Sequence, residues 1–152
     1  MGVIVVGVDG SEGSNHALDY AAEEAVLRGA RLRLVGAWEI PPSVLTAGMA
    51  SKDFYEGFER QALAAVREAA VRIAGQYPSV ACEEVVAEGQ AAKVLLANAE
   101  DADLLVVGRR GYGTFREMLL GSVSRQLTVH AKCPLLLVPP PLSANEDRED
   151  GE

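Results

Sequence analysis

Residues 3–37 read VIVVGVDGSEGSNHALDYAAEEAVLRGARLRLVGA, and this stretch decides the fold class. An apolar run from Val3 to Val8 and another from Leu32 to Ala37 are strand-length and rich in Val, Leu or Ile. Between them Ala17, Leu18, Ala21, Ala22, Ala25 and Val26 fall on one helical face, with Asp19, Glu23 and Glu24 opposite. Ser14 is placed to cap the start of this helix and Gly29 to end it. A strand, a helix and a second strand in so short a span form a βαβ unit, whose strands run parallel.

The same alternation continues along the chain. Two further apolar runs, Leu104–Val107 and Leu135–Val138, and a weaker one from Val80 to Ala87, bring the expected strands to five. Phe58, Ala62, Val66, Ala69 and Ile73 form a second helical stripe. Val94, Leu95 and Asn98 mark a third helix, and residues 122–131 a fourth. The runs Val3–Val8 and Leu104–Val107 are continuously apolar, as strands covered on both faces should be. Arg31, Arg33, Glu83 and Glu84 place the second and third strands further out. The reading is an α/β fold with an open, doubly wound, five-stranded parallel sheet in the order 3-2-1-4-5. The wholly apolar last strand then lies at an edge, which needs a cover such as a partner subunit.

Composition narrows the function classes. The chain has 152 residues, 49% of them hydrophobic, and a formal net charge of −8. One domain is expected, with a core large enough to need no disulfide or metal. Half of the net charge lies in residues 145–152, and the rest of the chain is still acidic. That balance argues against a duplex nucleic-acid partner. No apolar run is long enough to cross a bilayer, and MGVIVVGVDG lacks the basic flank of a signal peptide. Two cysteines, Cys82 and Cys133, are too few for a disulfide scaffold. These features together describe a cytoplasmic protein. Pro139, Pro140 and Pro141 end the sheet, and the residues beyond read as a disordered acidic tail. The segment Glu39–Lys52, with Pro41, Pro42 and Gly48, reads as a flexible flap.

In open parallel sheets, ligands bind beyond the carboxyl ends of the strands where the strand order reverses. Two segments arrive there: Val8-Asp9-Gly10-Ser11 after the first strand, and Gly108-Arg109-Arg110-Gly111-Tyr112-Gly113 after the fourth. Gly108, Gly111 and Gly113 permit positive φ and close backbone approach. Gly121 and Ser122 open a helix whose free N–H groups can hold an anion, and the Ser122 and Ser124 hydroxyls can donate to phosphate oxygens. Phe115, Met118, Leu119 and Leu120 would anchor the loop between them. Five basic residues (Arg109, Arg110, Arg116, Arg125, Lys132) stand against Glu117 alone between Leu104 and Pro134. Arg110, directly before Gly111, is the phosphate candidate among them. Structural roles compete at each position: Asp9 can turn the chain into its helix, the serines can be caps, and Trp38 and Tyr112 can be packing residues. His130 and Cys133, with His16 and Cys82 on other elements, fall short of a metal set.

Gly108, Gly111, Gly121 and Ser122 together resemble the G-x2-G-x9-G-S/T signature of the universal stress protein family. The likeness extends to VGVDGS, EGQAAKVLLANAEDADLLVVGRRG and LGSVSRQLTVHAKCPLLLVP, and so to nearly the whole chain ahead of the tail. It implies a Rossmann-like domain over residues 1–140, with the acidic tail over 141–152. It implies ATP as ligand, with Mg2+ carried by the phosphates. Gly7, Val8 and Asp9 would then lie against adenine together with Ala37. Val107 and Gly108 would pass the ribose, and Gly111, Gly121, Ser122, Val123 and Ser124 would surround the phosphates. A homodimer paired through Leu135–Val138 is also implied. Two positions depart from the pattern: Ala91, where relatives often place proline, and Arg109, where a small polar residue is frequent.

No G-x-x-x-x-G-K-[S/T] segment is present, and no base with an orienting partner sits near the glycine loop. The expectation is therefore a nucleotide-dependent stress-response regulator, whose loop Arg109–Leu120 responds to the ligand. Slow hydrolysis or self-phosphorylation stays open. The alternatives are a dimeric interaction module without nucleotide and an ATP-splitting adenylating enzyme. Asp and Glu in GVDGSEGS, which would repel pyrophosphate, count against the enzyme.

Overall fold

The computed structural model describes residues 1–49, 51–109 and 120–141. Arg110, Gly111, Tyr112, Gly113, the expected anchors Phe115, Met118 and Leu119, and the acidic tail from residue 142 onward lie outside them. In chain order the elements are β1 (Val3–Gly7), α1 (Glu12–Arg28), β2 (Arg31–Trp38), α2 (Pro42–Thr46), α3 (Lys52–Gln76), β3 (Cys82–Glu88), α4 (Ala91–Asn98), β4 (Leu104–Gly108), α5 (Ser122–His130) and β5 (Leu135–Val138). The strands form one five-stranded sheet in the order β3-β2-β1-β4-β5, and every pairing is parallel. The expected fold class and strand order are therefore observed.

Strand alternation divides the core into two layers. Ile4, Val6, Leu32, Leu34, Leu104 and Val106 pack with α1 and α3 on one face. Val3, Val5, Val35, Leu105 and Val107 pack with α4 and α5 on the other. Both layers bury whole aliphatic side chains, each stabilising the fold by roughly 1.5–3 kcal/mol before chain entropy is counted. A three-layer sandwich results, and it holds the carboxyl ends of β1 and β4 side by side.

Several local expectations change. Ser11, not Ser14, caps α1: its φ of −71° and ψ of 162° are extended, and its side chain accepts from the Ser14 N–H. Gly29 does end α1, at φ 62°. Its N–H donates to the Val26 carbonyl and the Ala30 N–H to that of Ala25, the crossed pair of a Schellman ending. Val26 itself is half exposed at 51%, so the apolar stripe of α1 is narrower than the pattern suggested. The segment Glu39–Lys52 is not wholly irregular, because Pro42 opens the short helix α2.

Arg33 sits directly opposite Glu83 in the β2–β3 register. Its guanidinium donates to Glu83 at 2.9 Å, to Asp101 at 2.7 and 3.2 Å, and to the Asn98 carbonyl at 2.7 Å. Hydrogen bonding to Asp101 and then to Glu83 pushes Arg33 above the usual arginine range, and the same bond pulls the Asp101 carboxyl down. On the opposite face Arg72 of α3 grips Asp19 of α1 through two bonds, 2.9 and 2.7 Å long.

Candidate functional site

The sheet and the starts of three helices, α1, α4 and α5, line a cavity of about 340 Å³ at the switch point between β1 and β4. That volume falls within the range of roughly 300–1,000 Å³ typical of small-molecule sites. Gly7, Val8 and Asp9 line it from the first strand and the turn after it, and Ala37 from β2. Val107 and Gly108 line it from β4, and Gly121, Ser122, Val123 and Ser124 from the start of α5. Every expected site residue among the described ones therefore faces this one cavity; Arg110 and Gly111 are the two that lie outside the described residues.

The β1–α1 turn is closed by its own side chains. Asp9 Oδ1 accepts from the Ser11 N–H at 2.9 Å and from the Ser11 hydroxyl at 2.6 Å. The Ser14 hydroxyl accepts from the Asp9 N–H at 3.1 Å and lies 3.4 Å from the Gly7 carbonyl, to which it donates. Asp9 thus does turn the chain into α1, while Oδ2 takes no hydrogen bond from the described residues. The residue remains exposed at the cavity rim.

The β4–α5 side differs in one respect that matters chemically. Gly121 caps α5 in an extended conformation, with no side-chain hydrogen bond to the helix start. Its own N–H donates back to the Arg109 carbonyl at 3.1 Å. The first N–H groups of a helix have no internal acceptor, and those of α5, beside the cavity, take no side-chain cap from the described residues. α1 spends its cap on Ser14; α5 leaves its end open.

Two serine roles separate. Ser122 is exposed and free to meet a ligand. Ser124 is buried, and its hydroxyl is directed at the Gly108 and Arg109 carbonyls, 3.0 and 2.9 Å away. The Ser124 hydroxyl hydrogen is therefore engaged by the loop, a change from its expected role as a phosphate donor. Gly108 has no positive φ; among the described residues that conformation belongs to Gly10, Gly29, Gly48 and Gly89. Gly108 is placed for backbone approach without a left-handed turn. Gly7 has a packing reason as well, because an added Cβ would meet Val107 at 3.1 Å and Leu95 at 3.3 Å.

The cavity also takes in Ser11, Ser14, Val35, Ala91 and Leu95, which the sequence reading did not include. Val35 lies two residues before Ala37, so strand alternation could have found it. Ala91 opens α4 in the position where the family often has proline, and it lines the cavity without one. Arg109 is not among the lining residues, and its buried Nε has no hydrogen-bond partner among the described residues.

A parallel α/β sandwich with its cavity at the switch point, beside a helix start and two strand-end glycines, belongs to the doubly wound class, in which open sheets place their ligand sites at that point. The family model of the universal stress protein family matches residues 1–139. A universal stress protein of Mycolicibacterium smegmatis is 36% identical over 144 residues, covering 90% of this chain and 45% of its own length. One from Thermus aquaticus, described as lying in the QAH/OAS sulfhydrylase 3′ region, is 35% identical over 137 residues, covering 89% of this chain and 96% of its own. A solved universal stress protein in complex with cAMP superposes with a TM-score of 0.66 at 30% identity, covering 92% of this chain and 98% of that one. The chain belongs to the universal stress protein family. It spans less than half the length of the mycobacterial relatives it matches.

Proposed function

We propose that this protein binds an adenine nucleotide, with ATP as its ligand, and acts as a cytoplasmic, nucleotide-dependent stress-response regulator. The observation that carries the reading is the uncapped start of α5 facing the same cavity as Asp9 and Ala37. A nucleotide needs both features: an anion site of backbone N–H groups at one end and a small, partly apolar pocket for the base at the other. The cAMP-bound relative supports adenine as the base.

In this reading the base lies against Val8, Asp9 and Ala37, and the ribose passes Val107 and Gly108. Gly121, Ser122 and Val123 hold phosphate, joined by Gly111 and Arg110. Ser124 positions the loop carbonyls rather than donating its hydroxyl hydrogen. Mg2+ in this reading is carried by the phosphates. Bound ATP would contact the segment between Arg109 and Leu120 and so alter the surface offered to a protein partner.

The assembly is a homodimer through β5. Leu105 and Arg109 donate to the Pro134 and Val138 carbonyls, so Leu135 and Leu137 direct their own backbone groups to the free edge. Leu135, Leu136 and Leu137 are only half-buried.

Calorimetric titration with ATP and Mg2+, beside cAMP and a Gly121→Val variant, tests the function. Binding by the wild type and loss in the variant is the expected result, since the valine side chain obstructs approach to the α5 amides. No wild-type binding at millimolar ATP overturns it and leaves a dimeric interaction module.

A further inference from the structure

A second chamber, of about 240 Å³, opens behind the base end of the cavity and shares Val8, Asp9 and Ala37 with it. Neither β4 nor α5 contributes to its walls, so it lies away from the expected phosphate position. Its new walls are Trp38 at the end of β2, Glu39 just after it, and Phe58, Gln61, Ala62 and Ala65 on α3. The space exists because α3 presents alanine there while held close to the sheet. A Cβ added to Gly36 would meet Val66 Cγ2 at 2.7 Å and the Ala62 carbonyl at 3.3 Å. Trp38 is braced edge-on by Tyr55, with ring centroids 6.2 Å apart.

We infer that this chamber is a subsite for a substituent carried at N6, on the purine edge opposite the glycosidic bond. The inference rests on the nucleotide reading. With phosphate at α5 and base at Asp9 and Ala37, that edge is the part of the ligand directed toward Trp38 and Phe58. An apolar cavity of about 150 Å³ holds a benzene molecule, so a chamber of about 240 Å³ has room for an aryl or branched alkyl group. Trp38, Phe58, Ala62 and Ala65 suit such a group, while the polar side chains that share the lining, Asp9, Glu39 and the exposed Gln61, can bond a hydroxyl on it.

The test compares ATP with N6-benzyl-ATP on the full chain, using wild type and an Ala62→Phe variant that fills the chamber. Wild type is expected to bind both, whereas Ala62→Phe should lose about tenfold or more in affinity for the benzyl analogue and less than about twofold for ATP. Ala65→Phe fills the same chamber from the next turn, and denaturation midpoints identify any variant that has failed to fold. Wild type that binds ATP but excludes the benzyl analogue overturns the subsite alone. A folded Ala62→Phe that loses ATP equally also overturns it, since the chamber would then hold the base itself. Binding of neither triphosphate overturns the nucleotide reading, and the subsite with it.

Discussion

The Ser124 hydroxyl lies 3.0 Å from the Gly108 carbonyl and so joins the third residue of α5 to the last residue of β4. The same relationship recurs across the switch point, where Ser14, third in α1, reaches the Gly7 carbonyl that ends β1 at 3.4 Å. Both serines are buried. Each strand end beside the cavity is thus tied to the helix that follows it by one hydroxyl, and neither tie depends on a ligand.

Ser124→Ala should therefore destabilise the fold by about 1–2 kcal/mol, the cost of leaving poorly solvated carbonyls without a donor. Ser122→Ala, at an exposed position, should change stability by less than about 0.5 kcal/mol while weakening nucleotide binding. Urea denaturation with parallel ATP titration separates the two. Equal stability loss in both variants would contradict the assignment.

Asp9 can be tested for its two roles by shape and charge. Asn at this position keeps an oxygen for the Ser11 N–H and hydroxyl but loses the charge. Asp9→Asn should hold stability within about 0.5 kcal/mol of wild type, whereas Asp9→Ala should lose about 1 kcal/mol as the turn opens. Both should weaken ATP binding if the carboxylate meets the base. Thermal unfolding and calorimetry give the two readouts.

Gly36→Ala should cost about 1–3 kcal/mol, because the new methyl group collides with the fully buried Val66 side chain. In the Gly36→Ala, Val66→Ala double variant the two changes should be markedly less than additive, since removing the Val66 methyls makes room for the new one. A denaturant double-mutant cycle checks this. Additive losses would mean that the Ala62 carbonyl, not Val66, sets the distance of α3 from the sheet.

The Arg33–Asp101 pair predicts a pH dependence with a definite sign. Arg33 holds the Asp101 carboxyl below its usual range, so the folded protein keeps that group ionised at pH values where the unfolded chain protonates it. The resulting stabilisation is fully present above the unfolded carboxyl value, about 3.9, and is lost as pH falls through the lower folded value. Denaturation midpoints of wild type and Asp101→Asn should therefore converge as the solution is acidified. A constant difference between them would show that the pairing contributes no linkage.

The order of the five strands was legible without coordinates because burial on both faces forces continuous apolar runs, as in Val3–Val8 and Leu104–Val107, and because parallel pairs require crossovers. The position of the cavity was legible in the same way, since Gly7 and Gly108 end strands one and four, Asp9 follows the first, and the switch point makes those two ends neighbours. Sequence spacing pointed to Ser14 as the cap of α1, whereas Ser11 takes that place, because both have the right chemistry and only the turn made by Asp9 decides. Nor could it show that Ser124 turns inward while Ser122 faces out, which depends on how α5 meets β4. The partners of Arg33 come from β3 and the region around the end of α4, dozens of residues away in the chain. The chamber behind Ala37 exists only because Gly36 lets α3 approach while Ala62 and Ala65 leave space above it. Periodicity and local propensity act over a few residues and were sufficient for the elements and their order; caps, buried hydroxyls and cavities arise where separate elements meet, and only the packed tertiary structure determines those.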